Sequence, residues 1–211
     1  MIVAIDGAST DLSVALATPD GDPIAQDAWS SAMRQSAELL PHLLALLRSS
    51  GQTLEETTAV AVGSGPGSFT GLRVAMALAK GLALALGRPI VAVPSLPAWL
   101  EAEPDAAVAV ARAGAREAYV LVRGEAEPRI VDREALPEAL RATDIVAAEE
   151  VATAFGLGAA RSPAAAGTIA RLAAARLAAG PDGDDLRRLE PIYLRAPRGI
   201  TADSGAEVKW L

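Results

Sequence analysis

The chain has no cysteine and a single histidine, His42. The lack of cysteine excludes disulfides, thiolate catalysis and cysteine-ligated metals. A single histidine excludes every metal site that needs two, and a zinc site made from carboxylates alone would be unusual. No Ser–His–Asp set is evident around His42, which we interpret as a surface or core residue. The residue inventory therefore disfavours metalloenzymes and peptidases.

Lysine and aromatic residues are also scarce. Only Lys80 and Lys209 are lysines, aromatic residues make up 3% of the chain, and the formal net charge is −7. Proteins that bind nucleic acids normally carry a basic patch, because contacts to phosphates supply most of their affinity. An acidic chain with scattered arginines is therefore a poor candidate to hold a nucleic acid tightly by itself.

Leader and membrane segments are not expected. The first apolar run, Met1–Ile5, has no basic residue before it, and Asp6 comes too early for a signal peptide. The longest apolar stretch, residues 74–93, is interrupted by Lys80 and Pro89, which leaves it too broken to span a membrane. We expect a cytoplasmic protein without a membrane segment.

The hydrophobic content of 51% predicts a folded protein, and 211 residues suit one large domain or two small lobes. Alternating and helical apolar spacing predicts α/β structure throughout. The predicted strands are 2–5, 12–17, 24–29, 58–62, 89–93, 106–110, 118–122, 129–131 and 145–148, and the predicted helices are 36–47, 70–86, 133–141 and 163–179.

A cluster of prolines, Pro94, Pro97 and Pro104, marks a change near residue 100. We therefore predict an N-terminal lobe at 1–100 and a smaller C-terminal lobe at 101–211. The prolines of the tail, 191–211, favour an extended chain. Packing of this tail back on the first lobe is one expectation, and packing on the second lobe is the alternative.

Residues 63–73 (GSGPGSFTGLR) form a glycine-rich loop between a predicted buried strand and a predicted helix. Backbone N–H groups and the helix dipole can hold an anion at such a place, here with Gly65, Gly67 and Ser68. The spacing matches neither the dinucleotide fingerprint nor the Walker loop. A tight turn, whose glycines let the helix pack closely on the sheet, is the alternative interpretation.

A second candidate is the turn from Asp6 to Asp11. A carboxylate at the end of a strand, with small neighbours such as Ser9, can hold Mg²⁺ and phosphate in nucleotide-binding lobes of the actin-like kind. Alternatively, Asp6 is a turn carboxylate that accepts local N–H groups.

The segment Gly65–Arg73 (GPGSFTGLR) closely resembles the signature of the TsaB (YeaZ) family. Further matches lie in the expected order along most of the chain. They are Ala59–Val62, Ala79–Ala83, Val93–Leu96, Ile5–Asp6 with Ser13–Leu16, Ser36 with Glu38–Pro41, Glu117–Tyr119, and Pro191–Arg195. The chain departs from the family pattern at Gly7 and Ala8, at Gln35, and at Arg112–Gly114.

The resemblance implies an actin-like (ASKHA) two-lobed α/β fold, each lobe a mixed sheet with flanking helices. It also implies a non-catalytic scaffold subunit of the complex that makes N6-threonylcarbamoyladenosine in tRNA. Such a subunit pairs with and activates a TsaD-type transferase, works with a TsaE-type ATPase, forms homodimers through the same surface, and meets tRNA only through the complex. The chain itself would need no cofactor, although ATP or ADP at the complex interface is an expectation. The alternative is a nucleotide-binding or weakly ATP-hydrolysing actin-like protein.

By the same resemblance, the helices predicted at 36–47 and 70–86 form the partner interface. Apolar residues on more than one side of these helices agree with a second, partner-facing surface. The residues expected there are Leu39, Leu43, Leu46, Thr70, Arg73, Val74, Met76, Ala77 and Lys80.

Overall fold

The computed structural model describes residues 1–31, 34–136, 140, 144–180 and 182–194. The first of its two sheets is a five-stranded mixed sheet in the order β3-β2-β1-β4-β5. Strands β1 to β3 form an antiparallel meander, and β4 and β5 continue the sheet parallel to β1. The strands are β1 (Ile2–Asp6), β2 (Asp11–Ala17), β3 (Pro23–Ser30), β4 (Ala59–Gly63) and β5 (Ile90–Val93).

The second sheet repeats this arrangement. Its order is β10-β9-β6-β7-β8, with β6 to β8 antiparallel and β9 and β10 continuing parallel to β6. The strands are β6 (Val108–Arg112), β7 (Glu117–Val122), β8 (Arg129–Asp132), β9 (Ile145–Val146) and β10 (Ala160–Arg161). Two mixed sheets of the same topology confirm the predicted two-lobed, actin-like α/β fold.

Helices cover both faces of the first sheet. The described helices are α1 (Gln35–Ser49), α2 (Phe69–Leu86), α3 (Ser95–Ala102), α4 (Glu149–Phe155) and α5 (Ala166–Ala179). Helices α1 and α2 pack on one face, where Leu43 and Met76 join Ile5 and Val62 in one apolar cluster. On the other face, Ile169 of α5 packs in a cluster with the opposite side chains of the same strands. Every residue of β1, β2 and β4 is therefore buried, as expected for strands covered on both faces.

Two short helices were missed by the sequence analysis. Helix α3 lies in the segment where Pro94 and Pro97 were interpreted as a break. Both prolines fit there, since Pro94 is the N-cap and Pro97 lies in the first turn, where the N–H has no intrahelical partner. Helix α4 is too short for a clear apolar period. Of the helix predicted at 133–141, the described part contains a 3₁₀ turn, Arg133–Ala135, while 137–139 and 141 lie outside the described residues.

Helix α5 follows the second sheet in sequence but packs on the first sheet. Its first N–H groups are bound by side chains of that sheet: Ala166 N donates to Ser13 Oγ (3.1 Å), and Gly167 N donates to Gln26 Oε1 (2.8 Å). These bonds replace the usual N-cap, which satisfies donors that the helix itself leaves free. The structure thus returns residues 166–179 to the first lobe, while the division at residue 100 stays a prediction.

The segment after α5 covers the open edge of β5. Asp184 N donates to Ile90 O (2.7 Å), and Ala92 N donates to Asp184 Oδ2 (2.7 Å). Burial alone would raise the pKa of Asp184, but the bonds from Arg176 and Ala92 N–H outweigh it and lower that pKa. An uncovered edge strand is a template for unwanted pairing, so this segment protects the sheet.

The described part of the tail reaches the first lobe as well. Ile192 N donates to Ser64 O (2.8 Å) at the end of β4. Tyr193 lies against α2. Residues 195–211 of the predicted tail lie outside the described residues.

Arg123 joins the second sheet to α3. Its guanidinium donates to Leu100 O (2.6 Å), Glu103 O (2.8 Å) and Ala106 O (2.9 Å), around the carboxyl end of the helix. We expect Arg123→Ala to lower the free energy of unfolding by about 1–2 kcal/mol, because bonds from a cation and a favourable charge at the helix end are lost together. Urea unfolding followed by circular dichroism measures this. Arg116→Ala, which removes an exposed ion pair with Glu134, serves as control; equal losses in both variants would contradict the assigned role.

Candidate functional site

The Asp6 carboxylate is buried and fully engaged by the protein. Asp6 is 2% exposed. Its Oδ2 accepts the indole N–H of Trp99 (2.7 Å), and its Oδ1 accepts Ser95 Oγ–H (3.0 Å) and Ala8 N–H (3.2 Å). Burial raises the pKa of Asp6, and these hydrogen bonds offset part of that rise. The carboxylate therefore ties the end of β1 to α3, which matches the interpretation of Asp6 as an acceptor of nearby donors.

The Asp6 turn and the glycine-rich loop are in direct backbone contact. Ser68 N donates to Ala8 O (2.7 Å). A Cβ atom at Gly67 would overlap Ala8 O, and one at Gly71 would overlap Gly7 O. A side chain at Gly7 would in turn meet Gly71 O at 2.6 Å. The absence of side chains at these positions lets the start of α2 approach the turn closely, as the tight-turn interpretation requires.

The five residues predicted to contact a phosphate, Asp6, Ser9, Gly65, Gly67 and Ser68, thus lie around one point of the fold. Polar groups of four of them, all but Gly67, have partners within the chain. Ser9 Oγ donates to Asp11 O (2.8 Å), Ser68 Oγ accepts Gly71 N–H (3.2 Å) as the N-cap of α2, and Gly65 N donates to Ser95 Oγ (3.1 Å). The geometry accounts for these residues through packing, and binding of a phosphate or nucleotide by them stays a prediction.

Four of the residues predicted at the partner interface lie inside the first lobe instead. Leu39, Leu43, Leu46 and Met76 are 0–8% exposed and belong to the cluster between the sheet and its two helices. The three- and four-residue spacing of these side chains points them towards the sheet. They offer almost no surface to a partner without a rearrangement of the core.

The other predicted interface residues lie towards the outside of α2. Thr70, Arg73 and Ala77 are exposed, and Val74 and Lys80 are half-buried. The surface also contains Phe69 (44% exposed), Gly81 and Leu84 (73% exposed). We call the set Phe69, Thr70, Arg73, Ala77, Lys80, Gly81 and Leu84 the α2 face. As a partner interface it stays a prediction.

The sequence analysis missed Phe69 and Leu84, as well as Leu40 of α1, which is 38% exposed. Helix α2 is apolar on nearly all sides, so its periodicity did not separate the inward from the outward face. Within the described residues it is the one helix whose length and apolar composition would suffice to cross a membrane, and 33% of it is buried in the protein. Two of the large apolar side chains that the protein leaves exposed, Phe69 and Leu84, thus lie on this one helix.

His42 belongs to a contact between α1 and β3. Its Nδ1 lies 2.6 Å from Asp27 Oδ2, and its ring stacks on Trp29 with centroids 3.7 Å apart. In the described part of the chain, no group of three or more His, Asp or Glu side chains could hold a metal ion. An open cleft of about 570 Å³ lies between the lobes. Its lining includes none of the predicted site residues: Thr10, Ser30, Ser31, Glu149, Glu150, Thr153 and Ala154.

Comparison with known proteins places the chain in a family. The model of the family described as "TsaD: tRNA N6-adenosine threonylcarbamoyltransferase" matches residues 30–174. A solved structure, YeaZ from Pseudomonas aeruginosa, superposes with a TM-score of 0.66 and 26% identity, over 92% of this chain and 99% of that one. The chain belongs to the TsaD family, in its TsaB (YeaZ) branch.

Curated members of the family match shorter segments. The "tRNA threonylcarbamoyladenosine biosynthesis protein TsaB" of Escherichia coli is 40% identical over 96 residues, which are 45% of this chain and 40% of that protein. The "tRNA N6-adenosine threonylcarbamoyltransferase" of Solidesulfovibrio magneticus is 47% identical over 60 residues, which are 28% of this chain and 16% of that protein. The matched segments thus span well under half of these relatives.

The buried acceptor at Asp6 leads to a test of stability. We expect Asp6→Ala to lower the free energy of unfolding by about 1–3 kcal/mol at neutral pH, because the buried donors of Trp99 and Ser95 lose their acceptor. Urea titration with tryptophan fluorescence measures the change and also reports on Trp99. Asp20→Ala, in an exposed turn, is the matched control. A variant at Asp6 as stable as this control would show that the carboxylate does not anchor α3.

Proposed function

We propose that this chain is the scaffold subunit of the complex that makes N6-threonylcarbamoyladenosine in tRNA, and that it pairs with and activates a TsaD-type transferase. The observation that carries the proposal is the α2 face. Leu84 and Phe69 are large apolar side chains on a helix whose opposite side is packed in the core. Burial of these side chains by a second protein would stabilise a complex through the apolar area removed from water.

The residue inventory supports a non-catalytic role within that complex. With one histidine and no cysteine, the chain cannot supply a pair of metal-binding histidines or a thiolate. The buried Asp6 carboxylate is bound to Trp99 and Ser95, which favours an anchoring role over general-base catalysis. These features disfavour catalysis by this chain, and they agree with a subunit that activates its partner through contact.

Further partners follow from the same proposal. A TsaE-type ATPase joins the complex, and a second copy of this chain can occupy the α2 face when the transferase is absent. The net charge of −7 agrees with tRNA being held by the partners. We place the complex in the cytoplasm. ATP or ADP at the interface with the partners stays a prediction, and equilibrium binding of labelled nucleotide to the assembled complex would test it.

Reconstitution tests the proposal directly. Threonylcarbamoyl transfer to tRNA is measured with the cognate transferase, the ATPase and the enzyme that makes threonylcarbamoyl-AMP, with and without this chain. We expect transfer to require the chain, and the chain alone to transfer nothing. Equal transfer in its absence would refute the scaffold role.

The contact surface is tested by a charge placed on α2. Leu84→Arg should weaken binding of the transferase by about 100-fold or more, because an unpaired guanidinium would be buried in an apolar interface. The matched control is Ile24→Arg, since Ile24 is also a partly exposed aliphatic residue (38%) but lies on β3. Both variants are first checked by circular dichroism for an intact fold. Co-purification of Leu84→Arg with the transferase at the wild-type level would place the interface elsewhere.

A further inference from the structure

The tail of the chain holds one side chain of the α2 face in place. Arg73 Nε donates to the hydroxyl of Tyr193 (3.1 Å). The guanidinium carbon of Arg73 lies 4.0 Å from the ring centroid of Phe69 and 6.0 Å from that of Tyr193. The two aromatic rings are themselves 5.7 Å apart. Arg73 is therefore fixed by two aromatic residues, one from the start of α2 and one from the far end of the chain.

The charge of Arg73 has no carboxylate partner within the described chain. Several other exposed arginines do, as with Arg112 and Glu150 (3.4 Å) or Arg161 and Glu103 (3.2 Å). In the described part, neither terminal nitrogen of Arg73 has a hydrogen bond or ion pair, and Lys80, two turns further along the same face, has no carboxylate partner.

Helix α2 contains no acidic residue, although acids outnumber bases in the chain by 26 to 19. The α2 face is thus a positive, apolar surface on an acidic molecule. A partner that covers it must bring negative charge, or bury these cations unpaired.

We propose that Phe69 and Tyr193 hold Arg73 as a preformed receptor for a carboxylate, and that the segment of the transferase which covers the α2 face is acidic. The inference rests on the proposed function and names the chemistry of that contact. The planar guanidinium binds a carboxylate through two parallel N–H bonds, and within the described residues its terminal nitrogens have no other partner. Fixing the side chain before binding removes part of the entropy cost of ordering it. The tail residue Tyr193 is accordingly part of the docking surface.

The same charges disfavour a second copy of the chain. In a two-fold symmetric dimer the same patch meets itself, so Arg73 and Lys80 of both copies would crowd into one interface. Repulsion between them weakens self-association, whereas an acidic partner gains attraction. The receptor therefore selects the transferase over a second copy of this chain.

Binding of the full-length chain to the cognate transferase, measured by calorimetry at low salt, tests the receptor. Arg73→Ala should weaken binding about tenfold or more, through loss of a charge pair. Tyr193→Phe keeps the ring, removes the bond to Arg73 and should weaken binding about threefold. In the Arg73→Ala background, Tyr193→Phe should cost nothing further, because Tyr193 acts through Arg73. Arg129→Ala, an exposed arginine of β8 in the second sheet, is the control and should bind as the wild type does.

Two results would overturn the proposal: wild-type affinity in Arg73→Ala, or the same loss from Tyr193→Phe in both backgrounds. If the wild-type chain itself fails to bind the transferase, the proposed function is refuted. Sedimentation of the chain alone then tests whether the charges of Arg73 and Lys80 repel a second copy. Self-association should then be weak at low salt and strengthen as added salt screens the repulsion. Tight self-association that salt weakens would count against it.

Discussion

The first lobe depends on the contact between the Asp6 turn and the start of α2. At this point two loops approach so closely that Gly7, Gly67 and Gly71 leave no room for a Cβ atom. The Asp6 carboxylate beneath them is buried at the cost of its hydration, and the donors of Trp99, Ser95 and Ala8 offset that cost. The position of α2 on the sheet, and with it the direction of its outer face, follows from this packing.

Segments near the C-terminal end of the described chain complete the first lobe. Helix α5 covers the second face of the first sheet, and residues 183–184 cover the edge of β5. Tyr193 finally reaches the outer face of α2. A lobe fixed on both faces and at one edge is a rigid support, which agrees with the proposed scaffold role, because a preformed surface loses less entropy on binding.

The glycine-rich loop positions the start of α2. A loop between a buried strand and a helix can cradle an anion, but here the backbone of the neighbouring turn lies against it. The loop therefore sets the position of α2 and of Arg73, the last residue of the signature string. The signature segment Gly65–Arg73 therefore leads directly into the proposed docking surface, because its last residue lies on the α2 face.

The sequence by itself determined most strands, the long helices of the first lobe, the two-lobed fold and the family, because these depend on local apolar periodicity and on a specific string of residues. It also excluded histidine-pair and thiolate chemistry. It did not show which side of α2 faces outward, since that helix is apolar on nearly all sides, nor that α3 begins at a proline. Only the tertiary structure buried Asp6 against Trp99 and placed Tyr193 on Arg73. Such pairs are brought together by packing between distant segments, and no local pattern records them.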